Sequence, residues 1–251
     1  MKWTLVTFSD ENFLLKRKFL SEHATNCGME NIAYTKDWIK GTDFYKKNLG
    51  IFNDEVGFGY FIWKPFIIRD AMNKMSDGDI LFYCDCGDIF HPGIVKFVEN
   101  LIEDDCCLLP LGGFINKNWS KRDCFVYMNC DDESYWESLQ LEAGVGFWKI
   151  CDQSKKIVDE WIEYSQDRRI ISDDKNVCGK ENFPEFNEHR RDQSILTNIA
   201  IKYGLSVVGS EIRDYIECNY EYWYERNSKE GFNLRRPIDK LLVELEDKMN
   251  A

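Results

Sequence analysis

Two carboxylates, Asp85 and Asp88, follow directly on the apolar run Ile80-Leu81-Phe82-Tyr83-Cys84. An aspartate pair of this kind offers hard oxygen ligands to Mg²⁺ or Mn²⁺. Such a metal bridges diphosphate oxygens and neutralises charge developing on a leaving diphosphate. Gly87, between the two, lets the backbone approach a ligand closely. Plainer readings exist for the same residues. Asp88 suits the N-cap of a helix opened by Pro92. Cys84 and Cys86 form a C-x-C pair, but the other two ligands of a zinc site are not at a readable spacing.

Two further groups carry chemistry. His189-Arg190-Arg191-Asp192-Gln193 stands at the start of a helical pattern, where a helix N-terminus already favours anions. Asp192 is a natural N-cap there. His189 is one of three histidines, and its imidazole can carry charge or complete a metal shell. Glu142 precedes Ala143-Gly144 at the start of a strand. It reads as an acceptor from hydroxyls, a base, or a solvated loop carboxylate.

These groups must be positioned by regular elements. A run of five apolar residues without alternation suits a strand buried on both faces, as in a mostly parallel sheet. The pattern predicts further strands at 3–8, 32–34, 106–109, 124–128, 144–148 and 206–208. Helices are expected over 12–23, 38–47, from Pro65 to Met75, from Pro92 to Ile102, over 154–165 and 192–203, and from about 237 to 250. Gly57 and Gly59 permit irregular backbone ahead of Pro65. Strands alternate with helices without repeats or low-complexity linkers, which implies an α/β domain with a mainly parallel sheet. In such sheets ligands bind beyond the carboxyl ends of the strands, and Asp85 occupies such an end.

Composition narrows the function. The chain has 251 residues, enough for one domain spanning 1–251. Its net charge of -12 lacks the basic face of a nucleic-acid binder. A small anionic ligand would need a local cation to offset that field. The ten cysteines follow no small-scaffold spacing, and several lie in apolar runs, so they read as reduced thiols packed as small hydrophobes. The N-terminus lacks the apolar core of a signal peptide, and no stretch approaches the ~18–20 apolar residues of a membrane span. A soluble, cytoplasmic protein is the expectation. Trp63, Trp119, Tyr135, Trp136 and Trp148 read as core, while Tyr220, Tyr222, Trp223 and Tyr224 are dense enough to cover a site edge or to pack the last helix.

Four segments in order carry a resemblance: Gly57-Phe58-Gly59-Tyr60-Phe61-Ile62-Trp63-Lys64-Pro65, Tyr83-Cys84-Asp85-Cys86-Gly87, Glu142-Ala143-Gly144-Val145-Gly146-Phe147-Trp148 and His189-Arg190-Arg191-Asp192-Gln193-Ser194. With the N-terminal strand they span residues 3 to 208. They resemble small nucleotide-sugar glycosyltransferases of bacterial polysaccharide clusters and large DNA viruses. The resemblance implies a GT-A-like fold, with a Rossmann-like, mainly parallel mixed sheet flanked by helices. It implies transfer of a sugar from a nucleotide-diphosphate donor, a UDP-sugar being favoured, to a hydroxyl of a glycan or glycoconjugate, assisted by Mn²⁺ or Mg²⁺. Thr7 and Phe8 would lie by the base, Lys64 would reach the diphosphate, and Tyr83, Asp85 and Gly87 would border the donor. Asp85 would take the place of the metal-binding D-x-D carboxylate. Gly87 stands where a strict D-x-D has its second aspartate, so Asp88 would substitute, or Asp85 would act with diphosphate and water. Glu142 would border sugar and acceptor. Asp192 and Gln193 would contact hydroxyls beside the anomeric carbon, and His189 or Arg190 would neutralise diphosphate. The rival readings are a sugar nucleotidyltransferase and a non-catalytic carbohydrate-binding protein. The acidic Thr7-Phe8-Ser9-Asp10-Glu11 turn is unlike the Gly-rich, basic loop of the former.

Overall fold

The computed structural model describes residues 1–102, 106–205, 207, 209–217, 240, 241 and 244. The first strand, β1 (Trp3–Ser9), is buried along its whole length. It runs parallel to β2 (Glu30–Thr35) on one side and to β3 (Ile80–Cys84) on the other. Two more strands, β5 (Cys106–Ile115) and β6 (Leu139–Lys149), complete a sheet of order β2-β1-β3-β6-β5. Only β6 is reversed, pairing antiparallel to both β3 and β5. The sheet is therefore mixed and mainly parallel, as the uninterrupted apolar run of β3 implies. A separate ribbon pairs β4 (Ile89–Phe90) with β7 (Ile216–Glu217).

The alternation of side chains along β1 and β3 divides the core in two. Trp3, Leu5, Phe82 and Cys84 face one layer, which contains α1 (Leu14–Asn26) and α3 (Ile94–Glu99). Val6, Phe8, Leu81 and Tyr83 face the other, built on α2 (Trp63–Met72), α4 (Arg122–Tyr127), α5 (Asp152–Ser165) and α6 (Asp192–Tyr203). The chain leaves β1 through α1 toward β2, then crosses back to β3 through α2 on the opposite face. Connections that diverge in this way open a crevice at the carboxyl ends of β1 and β3.

Residues 124–128 correct the sequence reading. They lie largely in α4, not in a strand. A short apolar run cannot distinguish a buried strand from a buried helix, and here Cys124, Phe125 and Met128 face the core at helical spacing. The helix expected over 38–47 is two short helices, Lys36–Lys40 and Asp43–Lys47, divided at Gly41-Thr42, where Thr42 caps the second. Of the strand expected at 206–208, Val207 forms a single parallel bridge to Leu108. The C-terminal helix and the aromatic group 220–224 fall outside the described residues, apart from helical Lys240, Leu241 and Glu244. Trp63 and Trp148 are buried, and Trp119, Tyr135 and Trp136 are half-buried. Among the described residues every cysteine is a free thiol.

Candidate active site

The crevice is organised around one buried ammonium. Lys64 stands at the second position of α2. The segment before it turns through left-handed backbone at Phe58, Gly59, Tyr60 and Phe61 (φ 52°, 80°, 56° and 65°). Each non-glycine residue in that region costs about 1–3 kcal/mol, so surrounding contacts must over-determine it. Trp63 supplies one, donating from its indole N–H to Gly57 O at 2.9 Å while stacking on Phe8 at 3.9 Å between ring centroids. Gly59 is required, since a Cβ there would meet Phe52 Cα at 3.0 Å.

Lys64 Nζ lies 3.4 Å from Asp85 Oδ1 and 3.5 Å from Asp192 Oδ2. The rings of Tyr83, Phe61 and Trp63 stand 5.3, 5.4 and 6.0 Å away, within range of cation–π attraction. Burial works against the charge on Lys64, but the two carboxylates overcome it and hold the ammonium protonated.

Asp85 follows β3. Its N–H donates to Gly144 O at 2.8 Å, tying it to β6, and its Oδ1 accepts from Tyr83 Oη at 2.5 Å. The other oxygen, Oδ2, faces Gly144, where a Cβ would come within 3.0 Å of it. Glu142 Oε1 would lie 3.6 Å from that same Cβ, so the two carboxylates approach one point above Gly144. The Asp85 side chain is 43 % exposed, open enough to meet a ligand. Glu142 is buried and takes an ion pair from Arg213. Asp88 is also buried, its N–H closing the turn on Asp85 O. It does not cap the following helix, whose N-cap is Gly93. Gly87 is half-buried in the same turn. Burial, with Asp85 and Asp88 nearby, pushes the Cys86 thiol up to about 12 and that of Cys84 well above its ordinary value. Both thiols stay protonated at neutral pH.

Asp192 is the first residue of α6 and does not cap it. The N-cap is Arg191, in the left-handed region at φ 53°, with no side-chain capping bond. Released from that duty, the Asp192 carboxyl turns inward to Lys64. Burial, opposed by Lys64 and reinforced by the charge of Asp85, raises it to about 6. Its Oδ2 is enclosed without a hydrogen-bonded partner and meets Lys64 only as an ion pair.

The segment between residues 172 and 191 delivers Asp192 without regular structure. Buried Asp123 accepts from Val177 N–H and Cys178 N–H at 2.9–3.0 Å. His189 sits between Lys121 N–H, which donates to Nδ1 at 3.3 Å, and Ile170 O, which accepts from Nε2 at 2.8 Å. Burial pulls its pKa down to about 3. The imidazole is neutral, with both nitrogens engaged by backbone. Arg190 lies against Trp119, 4.7 Å from the ring centroid, and pairs with Glu188 at 2.9 Å. Gln193 donates from Nε2 to Gln140 Oε1 at 2.7 Å. Gln140 in turn bonds Asn116, Ser120 and Ser194 in a buried polar network. At the end of β1, the hydroxyls of Thr7 and Ser9 are buried without protein partners.

The structure thus brings together Lys64, Tyr83, Asp85 and Asp192, with Phe8 behind Trp63 and Glu142 beyond Gly144. Arg213 and Gln140 were not singled out in the sequence. Arg213 reaches Glu142 across 71 residues of chain, so no local spacing marks it. Gln140 shares its strand with Glu142, and no spacing marks it.

No family model matches this sequence, and no curated protein matches it either. Solved structures do resemble it. Three of them are described by name as glycosyltransferases. One is a glycosyltransferase involved in glycosylation of the major capsid of PBCV-1, at 12 % identity and TM-score 0.39, covering 65 % of this chain and 66 % of that one. Another is mouse xyloside xylosyltransferase 1, at 10 % identity and TM-score 0.45, covering 83 % and 84 %. A third is the glycosyltransferase GlyE of Streptococcus pneumoniae TIGR4, at 15 % identity and TM-score 0.42, covering 84 % of this chain and 46 % of that one. This chain therefore spans just under two thirds of the viral protein and under half of GlyE. Among the described residues no helix is long and apolar enough to cross a membrane.

Proposed function

We propose that this protein is a glycosyltransferase that moves a sugar from a nucleotide diphosphate, UDP being favoured, to an acceptor hydroxyl of a glycan or glycoconjugate. The observation that carries the reading is the placement of Lys64 between Asp85 and Asp192 at the carboxyl ends of β1 and β3. A chain of net charge -12 can receive a diphosphate only where a fixed cation offsets its own field. Lys64 is preoriented and nearly dry, and Asp85 and Asp192 already offset its charge, so a divalent cation held at Asp85 would supply the rest of the charge a leaving diphosphate needs.

Asp192 would accept the proton of the acceptor hydroxyl. A carboxylate raised to about 6 is a better base than an ordinary aspartate and is still ionised at neutral pH. Gln193, oriented by Gln140, and Glu142, held by Arg213, would bind sugar hydroxyls. The donor set at Asp85 fits one hard cation in part. Its Oδ2 is open, while among the described residues no three His, Cys, Asp or Glu side chains are arranged to hold a metal. Asp85 would therefore hold Mn²⁺ or Mg²⁺ together with diphosphate and water, with Asp88 behind the turn. The metal would supply charge neutralisation to the departing diphosphate.

A thermal-shift screen of nucleoside diphosphates with and without Mn²⁺ tests this. A ligand at about a hundred times its dissociation constant adds about 2.7 kcal/mol, or roughly 5–10 °C for a domain of this size. No shift with any nucleotide would sink the reading.

A further inference from the structure

The two oxygens of Asp85 are not equivalent. Oδ1 accepts from Tyr83 Oη at 2.5 Å and faces Lys64 Nζ at 3.4 Å. Oδ2 lies over Gly144, where it and Glu142 Oε1 approach one point. The difference starts from spacing in the chain. Side chains two apart along a strand share a face of the sheet. Tyr83 and Asp85 are so spaced, while Cys84 between them packs in the opposite layer. The bond from Asp85 N–H to Gly144 O carries the pairing of β3 with β6 one residue further and fixes the Asp85 backbone. The freedom that remains is the terminal torsion of the carboxylate, which is broad and roughly two-fold in an aspartate.

Tyr83 is suited to remove that freedom. It pairs with Val6 on β1 and Gly146 on β6, it is 1 % exposed, and its ring stands 5.3 Å from Lys64 Nζ. A side chain so enclosed is a fixed point to which the carboxylate turns. A phenol has one O–H to donate, so it holds one carboxylate oxygen and leaves the other. The same burial keeps the ring from bordering a donor directly, and any influence on a ligand runs through Asp85.

We propose that Tyr83 is a positioning residue, whose hydroxyl holds Asp85 Oδ1 so that Oδ2 is presented to a divalent cation above Gly144. The inference rests on the glycosyltransferase reading, in the part where Asp85 holds Mn²⁺ or Mg²⁺. Lys64 meets the same oxygen at longer range and brings charge, whereas Tyr83 brings direction without charge. Outer hydrogen bonds that orient a ligating carboxylate in this way are worth roughly 10–100-fold in metal affinity.

Tyr83→Phe removes the hydroxyl and keeps both the ring and the formal charge. Isothermal titration of UDP in Mn²⁺ and in EDTA gives the affinity gained from the metal. That gain should be at least roughly tenfold smaller in Tyr83→Phe than in the wild type. Asp85→Asn should remove the gain, and adding Tyr83→Phe to it should cost nothing further, because the two act as one unit. A wild-type crystal soaked in Mn²⁺ and UDP gives a second measurement that depends on no variant. The ion should bind Oδ2, with the Tyr83 bond to Oδ1 kept. If wild-type affinity does not respond to Mn²⁺, the metal reading fails and this inference fails with it. If the wild type responds and Tyr83→Phe gains as much from the metal, this inference alone is overturned. An equal loss in Mn²⁺ and in EDTA, which a merely structural tyrosine would give, overturns it too, as does an ion seated on Oδ1.

Discussion

Lys64 Nζ and Asp192 Oδ2 stand 3.5 Å apart, and the side chain of each is only 5 % exposed. A pair buried to that degree is held more by the cost of separation than by its own net attraction, because removing one partner strands the other charge. Lys64→Met leaves Asp85 and Asp192 facing each other without a cation. It should lower stability by about 3 kcal/mol at pH 8 and by less at pH 5, where Asp192 escapes by taking up a proton. The double variant Lys64→Met/Asp192→Asn should recover much of the loss. Urea unfolding of the wild type and the three variants closes the cycle. Additive losses would mean that the two residues do not act as a pair.

The same carboxyl would set an acid limit on the proposed reaction. If Asp192 receives the acceptor proton, kcat/KM should fall about tenfold per unit below a pH of about 6. A limb near 4 would point to an ordinary exposed carboxylate instead. The stability effect runs in the opposite direction. A pKa raised by folding gives a stabilising contribution that is complete below the usual aspartate value and is lost as pH rises through about 6. Asp192→Asn should therefore be inactive, and its stability relative to the wild type should improve between pH 4 and pH 7.

How much of this was legible in the sequence follows from how local each signal is. Asp85 stood out because one unbroken apolar strand ends at it, and burial on both faces leaves a short record in the residues themselves. The helix over 192–203 was equally plain, having both periodicity and a terminal glycine. Asp192 reads in the sequence as a cap or as a contact to sugar hydroxyls. Only the left-handed backbone of Arg191 turns it inward, and no residue type announces that conformation. His189 reads in the sequence either as a group that neutralises diphosphate or as a neutral metal ligand. The enclosure by Lys121 and Ile170 that keeps it neutral depends on tertiary packing alone. Arg213 was invisible for the same reason.

Gly144 separates Asp85 from Glu142, and its missing side chain is a requirement of the site. A Cβ there would approach Asp85 Oδ2 to 3.0 Å, so alanine must displace the carboxylate, its oxygen being on a short, tethered side chain. Gly144→Ala should cost about 1–3 kcal/mol in stability, as overpacking does. It should weaken Mn²⁺-dependent nucleotide binding more than metal-free binding. Isothermal titration of a nucleoside diphosphate with and without Mn²⁺ separates the two. Equal weakening in both would place the metal away from Asp85.

His189 offers a prediction about acid stability. Its folded pKa of about 3 lies below its ordinary value of about 6.5, so the folded state binds fewer protons than the unfolded chain at intermediate pH. The contribution is complete above pH 6.5 and is lost as pH falls, by about 1.4 kcal/mol per unit at most. His189→Gln keeps a donor for Ile170 O and an acceptor for Lys121 N–H but cannot titrate. The variant should be somewhat less stable than the wild type at pH 7.5, where the ring packs without penalty. It should lose less stability than the wild type between pH 6.5 and pH 4.5, so that the two unfolding free energies converge or cross. Both proteins contain the same Asp192, whose opposite trend cancels in the comparison. Parallel curves over that window would mean that the imidazole reaches solvent or a carboxylate and is protonated in the folded state, restoring it as a cation available to a diphosphate.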